Sequence, residues 1–432
     1  PLVDFQNEGL ELSKIKKMIE ERLVPHLMRY DLPRFQSMFN AFPEKGAKFG
    51  AQVALDYNQG VTNWQVSPGG AVLEEICCKA LCRLFGLSEN AGATLMYCGT
   101  YANQQALYIA LHAHAEREGF DLGQKGLKGF KDPERLVVLT SKDAHFSLKH
   151  SVRMMGLGEE SLIPLEVDSN RKIDVPLLKK TLEDLQKTRD IFCIAATTGT
   201  TSTGSVDPIL PIAELCRDRQ IWLHVDGAYG LAYGLVPEWK NLYSGIDRAD
   251  SLSWDPHKQM GVPIPNSVLF VRQESDLYRM ALYSDYFNRK EDRHPNPGLK
   301  SPPTTRPLSA LPLAASIRYQ GMQKVTARLR APLDAVRSAA DYIRKQTNLE
   351  LTHRPDTGIL CFRVKRKELT EDKMSELQQF IYERIMESGE RTISVTKLEG
   401  LTVLRLVAIS PEVTGADLIE TLDLVRELAQ TF

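Results

Sequence analysis

No CxxC pair, no apolar stretch of bilayer length and no surplus of either charge marks this chain, and each absence removes a class of function. The seven cysteines (Cys77, Cys78, Cys82, Cys98, Cys193, Cys216 and Cys361) are scattered, mostly in apolar segments. Neither a zinc knuckle nor a disulfide framework is expected, and the thiols read as reduced and buried. Lysine and arginine number 54 against 55 aspartates and glutamates, a formal net charge of -1, so no long-range field draws the protein to nucleic acid or to a membrane surface. Without a run of about 20 apolar residues no transmembrane helix is expected. The first residues, Pro-Leu-Val-Asp-Phe-Gln-Asn-Glu, lack the basic and apolar regions of a signal peptide. That points to a cytoplasmic protein, and the start at proline rather than methionine reads as processed or trimmed. Repeats, heptads and low-complexity tracts are missing as well.

What is present is an ordinary composition, 43% hydrophobic and 25% charged over 432 residues, enough for a large core and a smaller satellite. A polar helical opening spans about residues 10–29. Apolar runs at 93–98, 136–140, 191–197, 221–226, 251–254 and 267–272 read as strands, and amphipathic runs at 71–85, 175–186 and 208–217 as helices. Their alternation argues for an α/β fold with a mostly parallel sheet covered on both faces. From about residue 307 a long helical tract reaches about 346, followed by strands at 358–364, 392–396 and 403–409 and two more helices, a compact α+β unit. The expected division is an N-terminal helical and extended segment (1–65), a large domain (66–306) and a small C-terminal domain (307–432). Residues 286–305, rich in charge and proline, read as an exposed loop.

The chemistry gathers at the ends of strands, where ligands collect in open α/β sheets. Asp226 closes Ile221-Trp-Leu-His-Val225 and precedes Gly-Ala228-Tyr-Gly; Lys258 follows Ser251-Leu-Ser-Trp-Asp-Pro-His257. One amine and one carboxylate, each just past a strand, are what pyridoxal phosphate (PLP) chemistry requires. The amine can hold the aldehyde as a Schiff base, and the carboxylate can keep the pyridine nitrogen protonated. Gly99-Thr100-Tyr101-Ala102-Asn103 ends a strand and opens a helix, so its N–H groups and the Thr100 hydroxyl can cradle a phosphate. Thr198-Gly-Thr200-Thr201 brings hydroxyls to the same rim, and His145, in Ser141-Lys-Asp-Ala-His145, offers an aromatic face to a ring.

In this order and spacing, Ser-x-Asp-Ala-His, Thr-Gly-Thr-Thr with a following Asp, His-Val-Asp-Gly-Ala-Tyr-Gly and Ala-Asp-Ser-(x)4-Pro-His-Lys resemble the group II PLP-dependent amino acid decarboxylases. That family includes the glutamate, aromatic amino acid, cysteine sulfinate and diaminobutyrate decarboxylases. The likeness is strong over about residues 33–272 and looser in the C-terminal third. It implies the fold type I architecture of a large and a small domain, and a homodimer with active sites at the interface. It also implies an L-amino acid substrate whose α-carboxylate leaves as CO2. Carried over residue by residue, it makes Lys258 the Schiff-base lysine and Asp226 the partner of the pyridine nitrogen, with Ala228 and His145 on the two ring faces. Tyr101 and Ala102, with His257, match phosphate-contacting positions, Thr200 a supporting hydroxyl, and Arg306 the partner of the substrate carboxylate.

The chain departs from the family in places. Many members carry a loop tyrosine thought to protonate the carbanion, whereas between Phe287 and Arg306 there is none. His294, His145 and Lys258 stay open as proton sources. Asp255 stands where many members have Asn, and Pro312 and Ala314 replace the usual Lys and Trp. The alternatives left open are carbon-carbon lysis, oxidative formation of an aldehyde, or a silent PLP-binding relative. His112 and His114 read as structural, because i, i+2 side chains diverge on a helix; Cys77-Cys78 reads as packing, and Glu44 as a surface carboxylate.

Overall fold

The computed structural model describes residues 7–285 and 288–432; two residues of the proline-rich loop, 286 and 287, lie outside the described part. Seven strands, β1 (Gly92–Met96), β2 (Leu136–Ser141), β3 (Leu162–Leu165), β4 (Asp190–Thr197), β5 (Trp222–Asp226), β6 (Ser251–Trp254) and β7 (Ser267–Val271), form one sheet. Its order is β1-β7-β6-β5-β4-β2-β3. β2, β3, β4, β5 and β6 pair in parallel, and β7 runs antiparallel to both its neighbours. The central strands are buried along their length because both faces are covered: in β2, Val137 and Leu139 enter one core while Leu136 and Val138 enter the other.

The covering helices are α1 (Leu12–Arg22), α2 (Lys45–Tyr57), α3 (Pro68–Leu84), α4 (Gly99–Arg117), the single-turn α5 (Leu122–Lys125), α6 (Ser147–Met154), α7 (Val175–Leu185) and α8 (Ile209–Asp218). Buried residues ring α4 on every side, as expected of a helix sunk in the core beneath the sheet. The opening helix is shorter than expected: Pro25 lies in a 3-10 turn, Val24–His26, and cannot continue α1. α1 buries none of its residues, leaving Leu12, Ile15 and Ile19 exposed.

The C-terminal part begins with α9 (Ala310–Arg344), interrupted at Gly321, where φ is 66°. A separate antiparallel sheet, ordered β10-β11-β9-β8, is built from β8 (Leu349–Leu351), β9 (Ile359–Val364), β10 (Ser394–Leu398) and β11 (Leu401–Val407). Leu360, Phe362 and Val364 of β9 face a core shared with α10 (Glu371–Ser388) and α11 (Gly415–Leu428), whereas Ile359 and Cys361 face the large core. The strand expected at 392–396 starts later because Thr392 is engaged elsewhere: its N–H donates to Arg34 O and its carbonyl accepts from Gln36 N, both at 3.0 Å. No described helix is long and apolar enough to cross a membrane. All seven cysteines are free thiols, and six of them are buried.

Candidate active site

The carboxyl ends of β1, β2, β4, β5 and β6 open onto one rim, and a cavity of about 130 Å³ lies there, lined among others by Gly99, Thr100, His145, Thr197, Asp226, Ala228 and Lys258. Asp226 is the last residue of β5 and only 4% exposed. Its Oδ1 accepts from Ala228 N at 3.1 Å and its Oδ2 from Asn103 Nδ2 at 2.8 Å. Among the described residues no lysine, arginine or histidine pairs with it, so a buried carboxylate faces the cavity without a counter-ion. Across the cavity Lys258 Nζ sits 3.1 Å from Asp255 Oδ2. Asp255 is buried, accepts from Ser267 Oγ, and has His257 Nε2 at 3.6 Å. His257 Nδ1 lies 2.6 Å from Asn266 O, which makes Nδ1 the protonated nitrogen of the neutral ring; burial lowers its pKa.

His145 lines the cavity, and its Nδ1 accepts from Ser147 N at 3.2 Å. Burial holds its pKa below the usual histidine value, so the ring presents a neutral face. At the start of α4 no side chain caps the helix, which leaves its first N–H groups without intrahelical partners beside Gly99 and Thr100. The hydroxyls of Thr197 and Thr198 are buried without hydrogen-bond partners.

Several expected residues lie differently. Ala102 is fully buried inside α4 and its N–H is committed to Cys98 O at 3.1 Å; only earlier residues of the turn have free N–H groups. Tyr101 is 54% exposed and lines a separate apolar cavity of about 880 Å³. Thr200 turns away because Gly199, at φ 100°, reverses the chain; its Oγ1 lies 2.5 Å from Thr203 Oγ1, while Thr197 and Thr201 line the site. Both terminal nitrogens of Arg306 are engaged: Nη1 donates to Pro297 O and Ser301 Oγ, both at 2.7 Å, and Nη2 to Leu95 O at 3.0 Å, Thr94 Oγ1 at 3.2 Å and the Glu74 carboxylate. It borders the larger cavity, not the one holding Lys258. His294 stacks on Trp64 with centroids 4.1 Å apart and bonds to Asp292 at 3.0 Å. Glu44 is buried rather than at the surface, capping α2 through Ala47 N.

Phe39, not anticipated from the sequence, adjoins the amine, and Arg405, likewise unanticipated, lies against Phe39. The Phe39 ring has Lys258 Nζ 5.7 Å from its centroid and the Arg405 guanidinium 5.6 Å from it. Arg405 stands on β11, 6% exposed, donating to Thr201 O (2.6 Å), Ser37 O (3.2 Å) and Ser394 Oγ (2.8 Å). No carboxylate pairs with it among the described residues, and burial lowers its pKa. An arginine inside the buried run Val403–Val407 was the available signal, since a charge in such a strand needs a partner.

A family model described as the pyridoxal-dependent decarboxylase conserved domain matches residues 2–365. The L-2,4-diaminobutyrate decarboxylase of Acinetobacter baumannii is 28% identical over 367 residues, 83% of this chain and 72% of that protein. The aromatic-L-amino-acid decarboxylase of Bacillus atrophaeus is 27% identical over 384 residues, 88% of this chain and 77% of the other. The glutamate decarboxylase domain of the diaminobutyrate-pyruvate transaminase and L-2,4-diaminobutyrate decarboxylase from Vibrio parahaemolyticus superposes with a TM-score of 0.87 at 23% identity, covering 100% of this chain and 88% of that one.

Proposed function

This chain belongs to the pyridoxal-dependent decarboxylase family, as a PLP-dependent carboxy-lyase of amino acids, and from that premise we propose that Lys258, Asp226 and His145 are its catalytic centre. The observation that carries the reading is Asp226, a buried carboxylate without a counter-ion, facing the cavity that also holds Lys258. A protonated pyridine nitrogen is the cation such a site lacks. The other groups fit the same cofactor: a neutral imidazole and Ala228 for the ring faces, an uncapped helix start at Gly99 and Thr100 for the phosphate, with His257 nearby, and the orphaned Thr197 hydroxyl.

When bound, PLP supplies the electron sink that takes up the electron pair of the broken bond between Cα and the carboxylate. Lys258 would hold the cofactor through its amine, at the place where a substrate amine enters. We assign the substrate carboxylate to Arg405 rather than to Arg306, because Arg405 is a buried guanidinium with no carboxylate partner that shares the Phe39 ring with Lys258, whereas Arg306 is paired with Glu74. Phe39, between the two cations, excludes water from that path. Of the three groups able to return a proton to Cα, only His145 and Lys258 line the cavity.

The active form is a homodimer with the site at its interface. Exposed apolar residues support this: Phe146, 72% exposed, follows His145, and Tyr101 follows Thr100. A reducing, cytoplasmic setting accords with seven free thiols. The relatives named above act on diaminobutyrate or aromatic substrates, so family membership leaves the side chain of the substrate open. The decisive experiment measures CO2 release from carboxyl-labelled L-amino acids (2,4-diaminobutyrate, acidic and aromatic), with the product identified in the same tubes. Labelled CO2 with the matching amine is expected. Aldehyde, or no release from any of them, would overturn the assignment.

A further inference from the structure

Beneath Asp226 lies a chain of hydrogen bonds whose direction is settled by its own donors. Trp222 Nε1 donates to Ser251 Oγ at 2.9 Å, and an indole N–H can only donate. Ser251 Oγ lies 2.9 Å from His224 Nδ1. His224 Nε2 lies 3.0 Å from Asn103 Oδ1. Asn103 Nδ2 in turn donates to Asp226 Oδ2 at 2.8 Å and to Ser147 Oγ at 2.9 Å. Ser253 Oγ donates to Asn103 Oδ1 at 2.7 Å, so all four hydrogen-bonding positions of the amide are filled. Flipping the amide would set its oxygen against the Asp226 carboxylate, so Asp226 selects one orientation. With Oδ1 then facing His224, the imidazole proton must reside on Nε2, which leaves Nδ1 to accept from Ser251. Asn103 is 1% exposed and His224 is 0% exposed, so water cannot substitute for either. Burial lowers the His224 pKa to about 4, which keeps the ring neutral over the working range.

We propose that Asn103 and His224 are positioning residues for the cofactor: His224, as its Nε2–H tautomer, locks the Asn103 amide, and Asn103 holds the Asp226 carboxylate turned toward the pyridine nitrogen. The inference rests on the assignment of Asp226 to that nitrogen. A carboxylate with one oxygen tied to Asn103 and the other to Ala228 N cannot rotate away, so its free lone pairs stay aimed into the cavity. The arrangement surrounds Asp226 with amide donors and the Ser253 hydroxyl, 3.3 Å from Oδ1, and gives it no cation of its own, which reserves its charge for the ligand.

The test is PLP titration of the purified protein, read as the cofactor dissociation constant and the absorbance of the bound form from pH 5 to 8, with Asp226→Ala as reference. Asn103→Ala should weaken PLP roughly 10- to 100-fold, the scale of a charge-assisted hydrogen bond. The nearly isosteric Asn103→Asp should be at least as weak at pH 8, where two carboxylates face each other. It should recover toward pH 5 as the new carboxyl takes up a proton, a pH profile that a merely structural role would not produce. His224→Gln, which keeps a donor near the Nε2 position, should stay within a few-fold of the unaltered protein, while His224→Leu should behave like Asn103→Ala. If Asp226→Ala weakens PLP but both Asn103 variants bind it unchanged at every pH, the inference is overturned and the Asp226 assignment stands. If Asp226→Ala itself binds PLP normally, the assignment fails and the inference falls with it.

Discussion

Arg171 grips Asp143 with two parallel hydrogen bonds, Nε to Oδ2 at 2.8 Å and Nη2 to Oδ1 at 2.6 Å, in the turn that delivers His145. The third nitrogen of Arg171 reaches Glu399, at the tip of the β10–β11 hairpin, at 2.5 Å, and Lys142 joins it at 2.8 Å. The small sheet thereby clamps the loop carrying the imidazole.

Breaking the inner pair leaves the nearly buried Arg171 with only the exposed Glu399 as an acidic partner. Asp143→Ala is expected to lower stability by about 3 kcal/mol and to weaken cofactor binding as His145 loses its support, measured by urea denaturation and PLP titration. The outer contact depends on pH. Hydrogen bonds from Lys142 and then Arg171 hold the Glu399 carboxyl down to about 2 from an ordinary 4.5. Its contribution is therefore complete above pH 4.5 and fades as the pH falls toward 2. Glu399→Gln should flatten the acid limb of a stability-versus-pH curve in that window, by lowering stability at neutral pH while leaving it nearly unchanged near pH 2.

Lys258→Ala removes both the amine and the counter-ion of Asp255. The cofactor-free protein should fold but lose about 1–2 kcal/mol, discounted because Lys258 is partly exposed. The loaded protein should lack the long-wavelength absorbance of covalently held cofactor. Retention of that absorbance would exclude Lys258 as the point of attachment.

Arg405 and Arg306 separate by the type of damage. Arg405→Met should raise KM roughly 10- to 100-fold with PLP affinity intact. Arg306→Met should leave Glu74 buried and unpaired, costing about 3–5 kcal/mol in stability, with KM nearly unchanged in the fraction that folds. Thermal unfolding paired with steady-state kinetics distinguishes the two, and the reverse pattern would return the substrate carboxylate to Arg306.

Gly99 is where the backbone comes closest to the site. A Cβ there would lie 2.8 Å from Asp255 Oδ2 and 3.0 Å from the Ala228 Cβ. Gly99→Ala should therefore weaken PLP about tenfold or more by pushing both neighbours into the cavity, with little change in Tm, because alanine is a good helix residue. Unaltered PLP affinity would mean that the start of α4 does not approach the cofactor.

Local pattern alone determined much of this protein. Apolar runs long enough for a strand, each ending in Asp, Lys, His or Gly, placed Asp226, Lys258, His145 and Gly99 at one rim, because a parallel sheet aligns its carboxyl ends. Side-chain direction and long-range partners were another matter. A left-handed glycine at 199 turned Thr200 inward, the helical hydrogen bond to Cys98 consumed the N–H of Ala102, and a buried glutamate from α3 claimed Arg306. Arg405 reached the Phe39 ring that also faces Lys258 only because β11, which lies 147 positions from Lys258 in sequence (405 minus 258), packs one face of the small sheet against the large sheet's core. Periodicity records which residues are buried, whereas the partner of a buried charge is chosen by packing between elements far apart in the chain, and only the folded structure contains that choice.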